Sequence, residues 1–168
     1  MIIKEIRIVS GGQSGVDRAA LDVAEQLGIL RGGWCPKGRL AEDGPISEEY
    51  PLTEAPSAMY EQRTMWNVRD ADATVIVARG LPLSGGTQYT RTVAEGLHKP
   101  YLVVSLDSAP SIAVTTAWLR RNKVVTLNVA GPRESGQPGI YQEASAFLRD
   151  LFQFWRSQVE KHTSSEII

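Results

Sequence analysis

The stretch from Ile6 to Gly28, IRIVSGGQSGVDRAALDVAEQLG, decides the fold. The segment from Ile2 to Val9 reads as a strand, and it ends abruptly in Gly11, Gly12, Gln13, Ser14 and Gly15. Val16, Ala19, Ala20, Val23, Ala24 and Leu27 then recur at the spacing of one helix face, with Gly28 as a stop signal. A strand, a glycine turn and an amphipathic helix make the first part of a βαβ unit.

The same alternation continues along the chain. Ala73 to Ala78 (ATVIVA), Tyr101 to Leu106 and Val124 to Val129 read as further strands. Thr87 to Leu97 and Ser111 to Asn122 read as helices, and Ile140, Ala144, Phe147, Leu148, Leu151, Phe152 and Trp155 form the strongest apolar helix stripe. Ser57 is expected to cap a helix running to about Asp70, with Glu61 reaching back from its first turn. Arg31 to Pro56 is Gly- and Pro-rich and long for a connection, so a functional loop or a short strand near Tyr50 to Leu52 is expected there. The strands are continuous apolar runs, as parallel strands covered on both faces are. The fold class expected is therefore α/β: a three-layer, doubly wound, mainly parallel sheet in a single domain over residues 1–160, with a frayed tail over 161–168. Ligands in such sheets bind beyond the carboxyl ends of the strands.

Composition narrows the chemistry. The chain has 168 residues, 42% hydrophobic and 22% charged, and its 18 basic and 19 acidic residues leave a net charge of −1. That balance provides no global field to attract nucleic acid or an anionic membrane. Cys35 is the single cysteine, and His98 and His162 stand far apart, so neither a disulfide framework nor a protein-built metal site is expected. No apolar run is long enough to cross a membrane, and the N-terminal segment lacks the features of a signal peptide; a cytoplasmic protein is expected.

Three loops point at one anion. Ser10 to Asp22 carries Gly11, Gly12, Gln13, Ser14 and Gly15 into a helix start, where free N–H groups and the helix dipole favour a phosphate. The loop lacks the lysine of a P-loop and the GxGxxG spacing of a dinucleotide site, and a plain tight turn is the alternative. Leu81 to Thr92 repeats the pattern with Gly85, Gly86 and Thr87, whose hydroxyl can cap the helix or donate to a phosphate. Asn128 to Tyr141 supplies Asn128, Gly131, Pro132, Arg133, Glu134 and Ser135, with the Arg133 fork suited to an oxyanion. All three follow strands, so a parallel sheet opens them on one edge, where they would hold an anionic ligand largely by main-chain N–H groups. In that setting Gly12→Asp would place a side chain and a negative charge in the cradle.

The segments GGQSGVDRAALD, GGWCPKGRLAEDGPI, YEQRTMWNVRDADATVIV, SGGTQYT and NVAGPRESGQPGIY, in this order, resemble the bacterial molybdenum carrier family, related to the molybdenum cofactor carrier protein of algae. The resemblance spans about residues 5–150. It implies a Rossmann-like fold of the lysine-decarboxylase-like, or lonely-guy, superfamily, and assembly as a homo-oligomer, dimer or tetramer. It implies molybdenum cofactor, or molybdate, as a bound ligand, and molybdoenzymes or cofactor-synthesis proteins as partners. Hydrolases of that superfamily look like an arginine helix followed by PGGxGTxxE. Here Arg63 sits where that arginine would, but Thr90 stands in place of the glutamate, which argues for binding and protection without catalysis. VAGPR resembles an element that opens many superfamily members, and its place near the C-terminus implies a circular permutation.

Other residues have two readings each. Arg63 and Asn67 share a helix face and are placed in the ligand cleft, with a solvated stripe as the alternative. Lys37 can neutralise an oxyanion or be a surface lysine; Arg18 can reach the anion or pair with a carboxylate. Asp17 suits the helix dipole, Glu42 and Asp43 read as turn chemistry, and Trp34 could cover a pterin. Cys35 reads as a small buried hydrophobe, with thiolate ligation of molybdenum as the alternative. The competing functions are a phosphoribohydrolase or N-glycosidase, with Glu134 as the carboxylate, and a module sensing an ADP-ribose-like nucleotide.

Overall fold

The computed structural model describes residues 5–165. Its central sheet has five parallel strands in the order β2-β1-β7-β5-β6, namely Arg31–Gly32, Arg7–Val9, Thr126–Ala130, Ala73–Ala78 and Tyr101–Ser105. A separate parallel pair joins β3 (Trp34–Cys35) to β4 (Thr53–Glu54). The helices are α1 (Val16–Gln26), α2 (Tyr60–Asp70), α3 (Gly85–Gly96), α4 (Ile112–Arg121) and α5 (Ile140–Ser165). This is the three-layer Rossmann-like arrangement expected.

Strand alternation decides which helices cover which face. Ile8, Val75, Val77, Leu127, Val129 and Val104 form one core with α1, α4 and α5, including the fully buried Leu148, Leu151 and Phe152 of the α5 stripe. On the other face Ile76 and Ala78 pack with Leu83, and Asn128 donates to Thr74 Oγ1 at 3.2 Å between adjacent strands, beneath α2 and α3. From β1 the chain winds outward through α1 to β2; from β5 it winds the opposite way through α3 to β6. The carboxyl ends of β1, β7 and β5 therefore flank the point where the winding reverses, which is where such sheets open a crevice.

Several boundaries differ from expectation for local reasons. The helix expected from Ser57 begins at Tyr60; Ser57 Oγ instead accepts from the Met59 N–H at 3.0 Å, and Gln62, not Glu61, reaches back to the Ser57 N–H at 2.7 Å. Ser111 does cap α4, accepting from the Val114 N–H. Helix α5 continues to Ser165, past the expected start of a frayed tail, and residues 166–168 lie outside those described. The segment from Arg31 to Pro56 holds three short strands where a functional loop or one short strand was expected. The Arg39 guanidinium organises it, donating to the carbonyls of Ile46, Leu52, Ser47 and Tyr50 at 2.7–3.2 Å.

Two stability measurements follow. Phe152→Ala empties a fully buried site in the α5 interface and is expected to cost about 3–5 kcal/mol in a urea melt. Arg39→Met keeps much of the stem volume but leaves those carbonyls without a donor, and is expected to make the 39–52 segment the first to be cut in limited proteolysis.

Candidate functional site

A cavity of about 390 Å³ opens at the crevice. Its walls are Gln13 and Asp17 from the first loop and α1, Tyr60, Glu61, Arg63 and Thr64 from α2, Gly85, Gly86, Thr87, Tyr89 and Thr90 from α3, and Ala130, Gly131 and Arg133 at and after the end of β7. A second cavity of about 330 Å³ shares Gly85, Gly86, Thr87 and Arg133 and extends to Ser84, Pro132 and Gln137. The two form one cleft within the size range of small-molecule sites. All three expected loops reach it from one edge of the sheet, but they contribute differently.

The first loop is mostly engaged by the protein itself. A Cβ on Gly11 would fall 1.4 Å from Arg63 Nη1, so the glycine makes room for a buried arginine, not for a ligand. A Cβ on Gly12 would meet Leu52 and Ile46; an aspartate there would strike an apolar cluster and not the cleft, contrary to expectation. At Gly15 φ is +82° and the Pro132 carbonyl lies 2.4 Å from where a Cβ would stand, so this turn packs directly on the third loop. Ser14 Oγ donates to Glu42 and accepts from the Glu134 N–H. Only Gln13 and Asp17 face the cleft.

The second loop is open. No atom lies within 4 Å of a Cβ built on Gly85 or Gly86. Helix α3 starts there with Ser84 at its N-cap and no side chain accepting from its first N–H groups. Those N–H groups have no acceptor within the helix and carry the positive dipole end. Thr90 lies one turn further in, buried, and its hydroxyl donates to the Gly86 carbonyl at 3.0 Å.

The third loop supplies Gly131 and Arg133. Gly131 is obliged to be small, since a Cβ would lie 2.2 Å from the Val77 carbonyl. Arg133 is half exposed, 5.5 Å from the Tyr60 ring centre and only 3.9 Å from Glu42 as an ion pair. Gln137 binds the Arg79 backbone in both directions, at 2.9 and 3.1 Å, and so locks the third loop to the end of β5.

Other expected site residues serve the scaffold. Arg18 is held by both oxygens of Asp43 and by the Gly12 carbonyl. Asn67 exchanges hydrogen bonds with the Trp34 backbone at 2.8 and 2.9 Å, joining α2 to β3, and Asn128 lies within the sheet. Glu134 accepts from the Gly139 and Tyr141 N–H groups at the start of α5, so it is a helix cap and no candidate carboxylate for the cleft. Ser135 donates to Glu42 outside the cleft, and Lys37 is exposed and lines neither cavity. Trp34 packs edge-on against Trp66 at 4.6 Å and donates to Asp70, away from the cleft. Cys35 is buried with Leu21, Ile46 and Leu52, and burial pushes its thiol up, which disfavours the thiolate a metal would need. Among the described residues no group of His, Cys, Asp and Glu could hold a metal ion, and no helix is long and apolar enough to cross a membrane.

Asp17 is more than a dipole partner. Its Oδ2 accepts from Arg63 Nη1 at 2.9 Å and from the Gln13 N–H at 3.2 Å, with both side chains nearly buried. Sequence reasoning passed over Tyr60, Glu61, Thr64 and Tyr89. The signal for three of them was available: Tyr60, Arg63 and Thr64 stand at i, i+3 and i+4 on one helix side, with Glu61 three before Thr64.

Fold and cleft together define a Rossmann-like α/β domain whose polar groups converge at the winding reversal. The model of the circularly permutated YpsA SLOG family matches residues 8–152, and the chain belongs to that family. The match agrees with the permutation expected from VAGPR. A solved structure from Syntrophus aciditrophicus, named "putative molybdenum carrier protein", is 44% identical, covers 88% of this chain and 95% of its own, and superposes with a TM-score of 0.82. No curated protein matches the chain.

Glu42 offers a test of how the loops are held. Burial raises its carboxyl, but hydrogen bonds from Ser135 and Ser14 and the charge of Arg133 outweigh that and bring it below the usual 4.5. A lowered folded value stabilises above the unfolded pKa and is lost as pH falls through the folded one. Glu42→Gln is therefore expected to lower the urea midpoint at neutral pH and to flatten its decline on acidification.

Proposed function

We propose that this protein binds and carries a phosphate-bearing anionic small molecule, molybdenum cofactor, without transforming it, and passes it between cofactor-synthesis proteins and molybdoenzymes in the cytoplasm. The observation that carries the proposal is the unfilled space over Gly85 and Gly86, at the uncapped start of α3 and beside Arg133. Main-chain N–H groups and a guanidinium there suit a phosphate. Tyr60 and Tyr89 line the adjoining cavity and offer faces for a flat heterocycle. The name of the Syntrophus aciditrophicus relative points the same way. Absence of catalysis is supported by how the nearby acids and hydroxyls are used. Asp17 is paired with Arg63, the Thr90 hydroxyl is turned to the Gly86 carbonyl, and Glu134 caps α5.

One observation favours a second reading. Glu61 lines the cleft and is exposed to it, so a carboxylate is available to an N-glycosidase acting on a nucleoside monophosphate. Release of free base from AMP, abolished by Glu61→Gln, would put that reading first.

The carrier reading is tested by retention of molybdenum cofactor during gel filtration of the purified protein. Arg133→Ala is expected to weaken retention by about 1.5–3 kcal/mol, the worth of a charge-assisted contact. Gly86→Ala is expected to raise the melting temperature slightly, by the helix preference for alanine, yet to weaken binding because its methyl enters the space meant for the ligand. Failure of the wild-type protein to retain the cofactor rejects the reading.

A further inference from the structure

We propose that the floor of the cleft is a second subsite, selective for oxygen atoms that only accept hydrogen bonds and separate from the anion cradle at α3; this rests on the carrier reading of the same cleft. Gln13 and Arg63 are 6% and 9% exposed, and both line the larger cavity. Each keeps a buried nitrogen without a partner, Nε2 of Gln13 and Nε of Arg63. The Gln13 amide cannot be turned round to remove the problem. Its Oε1 already accepts from the N–H groups of Ser14 at 3.0 Å and Glu42 at 2.9 Å, and two donors require an oxygen there. Its amino group therefore faces away from them with nothing to bind. Arg63 uses Nη1 on Asp17, and that pair leaves Nε unmatched.

Buried donors without acceptors are a stability cost that native proteins retain at few places, functional sites among them. Both atoms can only donate, so the group that satisfies them is a carbonyl, an oxo group or an oxyanion; an amino group would be rejected. Gln13 follows β1 and the cradle follows β5, with β7 between them. At the usual strand spacing those strand ends stand about 10 Å apart. The ligand class is accordingly a small molecule with a phosphate at one end and an oxygen-only acceptor group at the other. The Tyr60 ring lies 5.6 Å from the Arg63 guanidinium and lines the same cavity.

The probe is molybdate. Crystals soaked in it are expected to show two anomalous molybdenum peaks, one at the start of α3 and one within hydrogen-bond reach of Gln13 Nε2. Gln13→Glu keeps an oxygen for the Ser14 and Glu42 amides and turns a second oxygen to the floor. It is expected to weaken molybdate at the floor about tenfold or more while changing binding at α3 less than about twofold. Arg63→Lys keeps the charge opposite Asp17, removes Nε, and is expected to weaken the floor peak alone. Gly86→Ala should weaken the α3 peak alone. A molybdenum peak confined to the start of α3, equal loss of both peaks in a folded Gln13→Glu protein, or no molybdate binding at all would overturn the subsite. Molybdate seated on the floor of a protein that does not retain molybdenum cofactor would leave the subsite standing and reject the carrier reading.

Discussion

The buried pair of Asp17 and Arg63 is the contact on which the rest of the cleft depends. It joins the first turn of α1 to the middle of α2 across the end of β1. It exists because Gly11 has no side chain; the guanidinium occupies the volume a Cβ would take. Removing one partner of such a pair strands a charge in a low-dielectric site, a loss of about 3–5 kcal/mol, whereas the intact pair contributes far less than that. Its role is thus positional. It holds Arg63 in the wall of the cleft, and it fixes the Gln13 backbone through the same carboxylate oxygen.

This division explains why glycines that look alike in sequence do different work. Gly11, Gly15 and Gly131 are small because protein atoms press on them: Arg63, the Pro132 carbonyl and the Val77 carbonyl. They bring the ends of β1 and β7 close enough to share one wall. Gly85 and Gly86 are small with nothing pressing on them. At Gly85 φ is +54°, a left-handed conformation that itself calls for glycine, whereas at Gly86 neither backbone nor packing requires one. The asymmetry separates a loop packed against the protein from one open to the cleft, and it is visible only when the surroundings of each missing Cβ are known.

The layout of the fold was legible in the sequence because its signals are local. ATVIVA is a six-residue apolar run and forms β5 over the same residues, and the helix expected over Ser111 to Asn122 is α4, Ile112–Arg121. The edge of the sheet on which the cleft opens followed from parallel topology. What could not be read were side-chain partners distant in sequence. Arg18 and Glu134 carry the charge that an anion site or a catalyst would use, but Asp43 occupies one and the α5 amides hold the other. Asn67 was placed on the correct helix, yet its amide matches the Trp34 backbone in both directions. A polar residue's type says what it can bond, and only the tertiary neighbours say whether that capacity is already used.

Glu42 shows how the long segment after β2 comes to govern the site without lining the main cavity. Its carboxylate gathers Ser14 from the first loop and Ser135 from the third, while its backbone N–H is held by the Gln13 side chain. Arg133 stands 3.9 Å away, beyond hydrogen-bond reach, so Glu42 attracts the guanidinium without immobilising it. In the proposed binding mode Arg133 turns to the anion while Glu42 keeps its serine partners, so little reorganisation is needed. Arg39, which anchors the same segment through backbone carbonyls, makes that arrangement rigid. The segment thus works as a preformed frame: it sets the two loops, spares one cation, and leaves the cleft open at the start of α3.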